Sequence, residues 1–187
     1  MTASQLFVPG PAFIYFAPFT AYDTPGSYVY LGESEGDVNV SDDAAWEDII
    51  VDQSGPRVPF DLAYMAEECY IQFTLVKYVE AAWEALATRV AGTTWGTIEA
   101  GQVGTLVRQE GKCYAFAITS PYQSKAAYAS MPPGYTFKNG VMHNNWDMSL
   151  STQRQRKRVV LRCIPDWQVD GSGILFTPTI PSLPAVT

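Results

Sequence analysis

The residues able to do chemistry are few and scattered. The chain carries one histidine, His143, in the polar run Met-His-Asn-Asn-Trp. A Ser-His-Asp or Cys-His device would have to use it, because such triads need an imidazole to move the proton. No serine elbow, zinc-protease helix motif, phosphate-binding loop or dinucleotide fingerprint accompanies it. The three cysteines, Cys69, Cys113 and Cys163, are widely spaced, odd in number and set in apolar surroundings. They read as buried reduced thiols rather than as zinc ligands, which would come in close pairs. Asp42, Asp43, Glu47 and Asp48 cluster beside Ser41 and invite comparison with the paired carboxylates of glycoside hydrolysis. A turn at Asp42 and Asp43, with Glu47 and Asp48 solvated, accounts for them more simply. The expectation is a chain without catalytic residues, cofactor or metal.

Charge is more informative than any motif. Lys plus Arg number 12 and Asp plus Glu 19, giving a net charge of −7. A chain of that balance lacks the cations that release counterions from a phosphate backbone, so specific nucleic-acid binding is not expected. Asp23, Glu33, Glu35, Asp37, Asp42, Asp43, Glu47, Asp48 and Asp52 all precede the first base, Arg57. Arg154, Arg156, Lys157, Arg158 and Arg162 lie within nine residues of one another. Two solvated faces would explain this. So would assembly, with the acidic segment of one subunit (Glu33–Asp52) meeting the basic run (Arg154–Arg162) of the next, as in head-to-tail rings and stacks. Nucleic-acid binding by Arg154–Arg162 ranks last, because the run is short and the rest of the chain acidic.

The elements that would position these groups are mostly strands. Aromatic residues make up 13% of the 187, a stock that suits pleated faces and large contacts. Strands are expected at Ser27–Gly32, Asp37–Val40, Trp46–Val51, Arg57–Tyr64, Cys69–Tyr78, Gly104–Arg108, Cys113–Thr119, Asp147–Leu150, Arg158–Ile164 and Ile174–Thr177. Pro59 would confine Arg57–Tyr64 to a sheet edge. In Cys69–Tyr78, Ile71, Phe73 and Leu75 alternate with polar residues. The period then changes: Val79, Ala82, Trp83, Leu86 and Val90 follow helical spacing, and Gly92 marks a stop. Prolines at 9, 11, 18 and 25 suggest an extended arm over residues 1–26 with no core of its own, and those at 178, 181 and 184 an extended tail over 178–187. Residues 120–144, rich in Pro, Gly, Tyr and Ser, read as a long contact loop. The predicted architecture is mainly β: a single sandwich or barrel over residues 27–177, with one flanking helix at about 79–90. No signal peptide and no spanning apolar segment is seen, so a cytoplasmic, membrane-free protein is expected, and the Asn39-Val40-Ser41 sequon carries no meaning.

One stretch is familiar as a whole. Tyr28-Val-Tyr-Leu-Gly-Glu-Ser-Glu-Gly-Asp-Val-Asn-Val is followed by Val51-Asp-Gln-Ser-Gly, by Val58-Pro-Phe-Asp-Leu, and by a strand, Glu68–Tyr78, running into the helical Glu-Ala-Ala-Trp-Glu-Ala-Leu. This order, over about residues 27–120, resembles the major tail tube proteins of long-tailed bacteriophages. The resemblance implies a β-sandwich or barrel with a helix on its flank, and subunits that form hexameric rings. Inner strands would join around an acidic lumen, rings would stack with the help of a loop and terminal arms, and DNA would pass without specific binding. It also implies a place in the virion tail, assembly in the host cytoplasm, and partners among tail or neck proteins. The loop Pro121–Asn144 and the proline-rich ends have no counterpart in it, which leaves open a tail terminator, a connector or a capsid decoration protein. From a different class, Tyr122, Tyr128 and Tyr135 fit a carbohydrate-binding β-sandwich of a viral fibre.

Overall fold

The fold is that of a computed structural model, described for residues 5–8, 11–21, 24–49, 61–87, 113–121, 134–142, 156–167, 173–174 and 176–185. Its elements are β1 (Gln5–Val8), β2 (Phe13–Ala21), β3 (Thr24–Pro25), β4 (Val29–Ser34), β5 (Val38–Ile49) and β6 (Asp61–Tyr78). After them come α1 (Glu80–Ala87), β7 (Tyr114–Thr119), β8 (Gly134–Met142), β9 (Lys157–Cys163), β10 (Asp166–Trp167), β11 (Gly173–Ile174) and β12 (Phe176–Thr177).

Six strands close on themselves, every pairing antiparallel: β6 to β4, β4 to β2, β2 to β7, β7 to β8, β8 to β9, and β9 back to β6. The predicted mainly β architecture is therefore realised as a barrel with one helix among the described residues. Its interior is filled by the alternate residues of each strand: Ile14 and Phe16, Leu31, Ile71 and Leu75, Phe116 and Ile118, Phe137, Val159 and Leu161, all fully buried. Closure leaves none of these six strands as a long exposed edge within the barrel. One end is plugged by α1. Ala82, Trp83 and Leu86, at helical spacing, join the core, and the Tyr114 hydroxyl donates to the Ala85 carbonyl at 3.2 Å. The helix begins directly after β6, where the Trp83 N–H donates to the Val79 carbonyl.

The structure corrects two expectations. Part of the presumed N-terminal arm is β2, a wall of the barrel between β4 and β7. Its run Phe-Ile-Tyr-Phe-Ala is continuously apolar because both faces are covered: Ile14 and Phe16 inside, Tyr15 and Ala17 also buried. Pro18 is tolerated because the β4 ladder ends at the Phe16–Val29 rung, so no β4 carbonyl awaits its missing N–H. Ser34, fully buried, fastens the entry to β2. Its Oγ accepts from the Ala12 N–H and donates to the Gly36 carbonyl, both at 2.8 Å.

Part of the presumed contact loop 120–144 is β8. Its alternation is broken by an extra residue between the Phe116–Phe137 and Tyr114–Gly140 rungs. Asn139 takes φ 54° there, a left-handed conformation that asparagine tolerates and that marks a bulge. The strand expectations at Gly104–Arg108 and Asp147–Leu150, and the end of the helix at Val90, lie outside the described residues.

Candidate assembly surface

Among the described residues β5 and β6 are the longest strands, and both run from the barrel out beyond it. β6 pairs with β4 through Leu75–Tyr78 and with β9 through Cys69–Leu75. Below Cys69 it continues with β5 alone, through rungs from Asp43–Glu68 down to Ile49–Asp61. β1 covers the other edge of β5 only over Val38–Ser41. The segments 42–49 and 61–68 thus form a two-stranded ribbon leaving the barrel, with no third strand on either edge among the described residues. Two runs that the sequence separates, Asp37–Val40 and Trp46–Val51, are one strand here, as are parts of Arg57–Tyr64 and Cys69–Tyr78.

Directly opposed residues share a face of the ribbon, and successive residues alternate. The row Val38, Val40, Asp42, Ala44, Trp46, Asp48 begins in the barrel core and runs out along one face. Opposite it stand Ile71, Cys69, Glu67, Tyr64 and Leu62. The other face carries Asp43, Glu47, Asp61 and Glu68, with Ala45, Ala66, Ala63 and Ile49 between them. A register shift between the Ala45–Ala66 and Trp46–Tyr64 rungs leaves Met65 as the extra residue. Trp46 is 48% exposed, Leu62 44%, Ile49 42% and Met65 58%. The two segments hold seven carboxylates and no Lys or Arg. The ribbon is therefore apolar and acidic at once, and its large apolar side chains are about half exposed.

The charges singled out in the sequence are partly brought together, within one chain. Arg156 Nη2 lies 2.7 Å from Glu35 Oε1, so this pair is not reserved for a neighbouring subunit. Glu33 pairs with Lys77 at 2.9 Å. Arg162 Nε donates to Glu68 Oε2 at 2.7 Å, its Nη2 contacts the same oxygen, and the Tyr70 hydroxyl donates to Glu68 Oε1 at 2.9 Å. That hydrogen bond to Glu68 raises the Tyr70 pKa. The topology explains the pairing: β6 lies between acidic β5 and basic β9, so Ser41, Tyr70 and Arg162 share one row. Lys157 sits at the plugged end, its ammonium 5.6 Å from the Trp83 ring centre and 6.0 Å from that of Tyr78.

Asp42 and Asp43 stand in the middle of β5, not in a turn. One carboxylate oxygen of Asp42, Oδ1, is buried without a hydrogen-bond partner. Asp37, Asp43, Glu47, Asp48 and Arg158 are exposed, and Asp52, Arg154 and His143 lie outside the described residues.

The exposed Trp46, Leu62 and Met65 were not singled out in the sequence. No local pattern marks them: residues 42–49 and 61–68 do not alternate cleanly between apolar and polar, and the extra residue Met65 shifts the period of β6 as well. For the sugar-binding alternative, Tyr122 and Tyr128 lie outside the described residues. Tyr135 is no open platform: it is half-buried, edge-on to Phe176 at 5.7 Å and packed on the core. Among the described residues no group of three or more metal-ligating side chains comes together, and no helix is long and apolar enough to cross a membrane. The chain matches no protein-family model and no curated protein.

Proposed function

We propose that the chain is a structural subunit that assembles with copies of itself, and specifically a tail tube subunit of a long-tailed bacteriophage virion. The observation that carries this reading is the ribbon: a row that leaves the barrel core and carries exposed Trp46 and Leu62 among Asp42, Asp48 and Glu67, on two strands whose edges have no third strand among the described residues. An isolated two-stranded ribbon is marginally stable in water, and open edges pair readily with other strands. In a ring the β5 edge of one copy would meet the β6 edge of the next, which keeps the strands antiparallel around the circle. The face with Asp43, Glu47 and Asp61 would then line a channel, where carboxylates repel phosphates and let DNA pass without sticking.

Sedimentation velocity and negative-stain images of the purified chain test this. Rings or stacked tubes are expected at high concentration, and the double variant Trp46→Ser, Leu62→Ser should remain a folded monomer. A wild-type chain that stays monomeric up to its solubility limit would overturn the proposal.

A further inference from the structure

The last rung of the barrel before the ribbon departs is a pair of cysteines. Cys69 on β6 directly opposes Cys163 on β9, and no further β6–β9 rung follows. Both are free thiols, both are fully buried, and both join the core cluster. Directly opposed residues of an antiparallel pair have Cα atoms about 4.5–5.5 Å apart, inside the span of about 4.4–6.8 Å that a disulfide bridges. The two thiols hydrogen-bond to each other. Next to Cys163 on β8 stands Gly140, where an added Cβ would lie 3.3 Å from Cys163 Sγ and 2.7 Å from the Phe116 ring. The absent side chain therefore leaves the sulfur room. The third thiol, Cys113, is buried too, and close enough to act on Cys163 electrostatically.

We propose that Cys69 and Cys163 form a redox latch, joined by a small peroxide into a disulfide that fastens the point where the ribbon leaves the barrel. One thiolate attacks a peroxide oxygen, breaking the O–O bond and releasing hydroxide, and becomes a sulfenic acid. The second sulfur attacks the first, forming the S–S bond and expelling the sulfenic oxygen, which leaves as water with the proton of the second thiol. Two thiols are oxidised and one peroxide is reduced to two waters. Burial guards the step. The hydrogen bond that the Cys163 thiol donates to Cys69, and then burial in apolar surroundings, push the Cys163 thiol well above its ordinary value, so little Cys163 thiolate exists at neutral pH. Reaction then waits for local opening of the β6–β9 seam. The inference stands independently of the assembly reading, because it concerns the monomer.

The test uses the full chain, reduced, freed of reductant and exposed to hydrogen peroxide, then alkylated and mapped by mass spectrometry. The expected product is lighter by two hydrogens, with Cys69 and Cys163 in one linked peptide. Cys113→Ala should form it equally, and Cys69→Ala and Cys163→Ala should not. The rate should rise with pH and with sub-denaturing urea. The oxidised protein should melt higher, and amides at 69–72 and 160–163 should exchange more slowly until dithiothreitol reverses both. A bridge to Cys113, a product with only sulfinic acids, or a lower melting point on bridging would overturn the proposal. The wild-type peptide map decides the pairing even if an alanine variant fails to fold.

Discussion

The barrel half and the ribbon half of β5 and β6 share one continuous ladder and differ in what covers them. In the barrel half, Val38, Val40 and Ile71 are buried. A few rungs further, Trp46 and Leu62 on the same face are about half exposed. Alternation along a strand tells which residues share a face. It does not tell what covers that face, which depends on strands far away in sequence. In the barrel half these side chains join one core cluster with residues of β2, β7, β8 and β9, whereas in the ribbon half the described residues provide no such cover.

That contrast can be broken most directly by mutation. Phe116→Ala removes a fully buried ring from the barrel interior and should cost about 3–5 kcal/mol. Gly32→Ala should cost at the upper end of about 1–3 kcal/mol. A Cβ there would overlap the Lys77 carbonyl oxygen of β6. Trp46→Ala should cost clearly less than Phe116→Ala, because Trp46 is already 48% exposed and gives up less covered apolar area. Urea denaturation of dilute protein measures all three. A Trp46→Ala loss as large as that of Phe116→Ala would show that the ribbon face is covered in the monomer and would erase the contrast.

Much of the barrel was legible in the sequence because its signals are local. Ile71, Phe73 and Leu75 alternate cleanly, and the change of period at Val79 marks α1, whose buried Ala82, Trp83 and Leu86 are the residues expected. β7 and β9 also fall where the apolar runs suggest. β2 was not legible because its cover on both faces erases alternation, and because Pro18 reads as a breaker although it sits past the end of the β4 ladder. β8 was hidden by Gly134 and by the left-handed Asn139 next to Gly140, which resemble a loop. The charge segregation was visible, but not the placement of β6 between its two halves, which turns Arg156 and Glu35 into a pair within one chain.

Tyr28 and Tyr30, just before and within β4, carry a pH signature. Burial pushes the Tyr28 phenol up to about 12 from an ordinary 10.0. Tyr30 is pushed to about 12 as well, by burial first and then by the negative charge of Glu33 and by Tyr15. Raised values mean that the folded chain holds these protons more tightly than the unfolded chain. The associated stability is intact below pH 10.0 and falls as pH rises through the interval to about 12. Chemical denaturation in alkaline buffers should show this decline, and Tyr28→Phe with Tyr30→Phe should flatten it. A decline unchanged in the double variant would place its origin elsewhere.

The smallest effect concerns the junction of the two halves. Arg162 and Glu68 face each other where the ribbon leaves the barrel, with the Tyr70 hydroxyl on the second carboxylate oxygen. Their side chains are 47% and 26% exposed. An ion pair so open to water contributes about 0–1 kcal/mol, and salt screens it. Yet Glu68 directly opposes Asp43, and like charges across a rung destabilise it. Arg162 therefore offsets a repulsion as well as making an attraction. A double-mutant cycle of Arg162→Ala and Glu68→Ala should give a coupling below about 1 kcal/mol at low salt, shrinking at high salt. Asp43→Asn should reduce the loss caused by Arg162→Ala, because the repulsion that the guanidinium offsets is then absent. If Arg162→Ala costs the same with and without the Asp43 charge, the guanidinium serves Glu68 alone, and the acidic face of the ribbon tolerates its own crowding without help from the barrel.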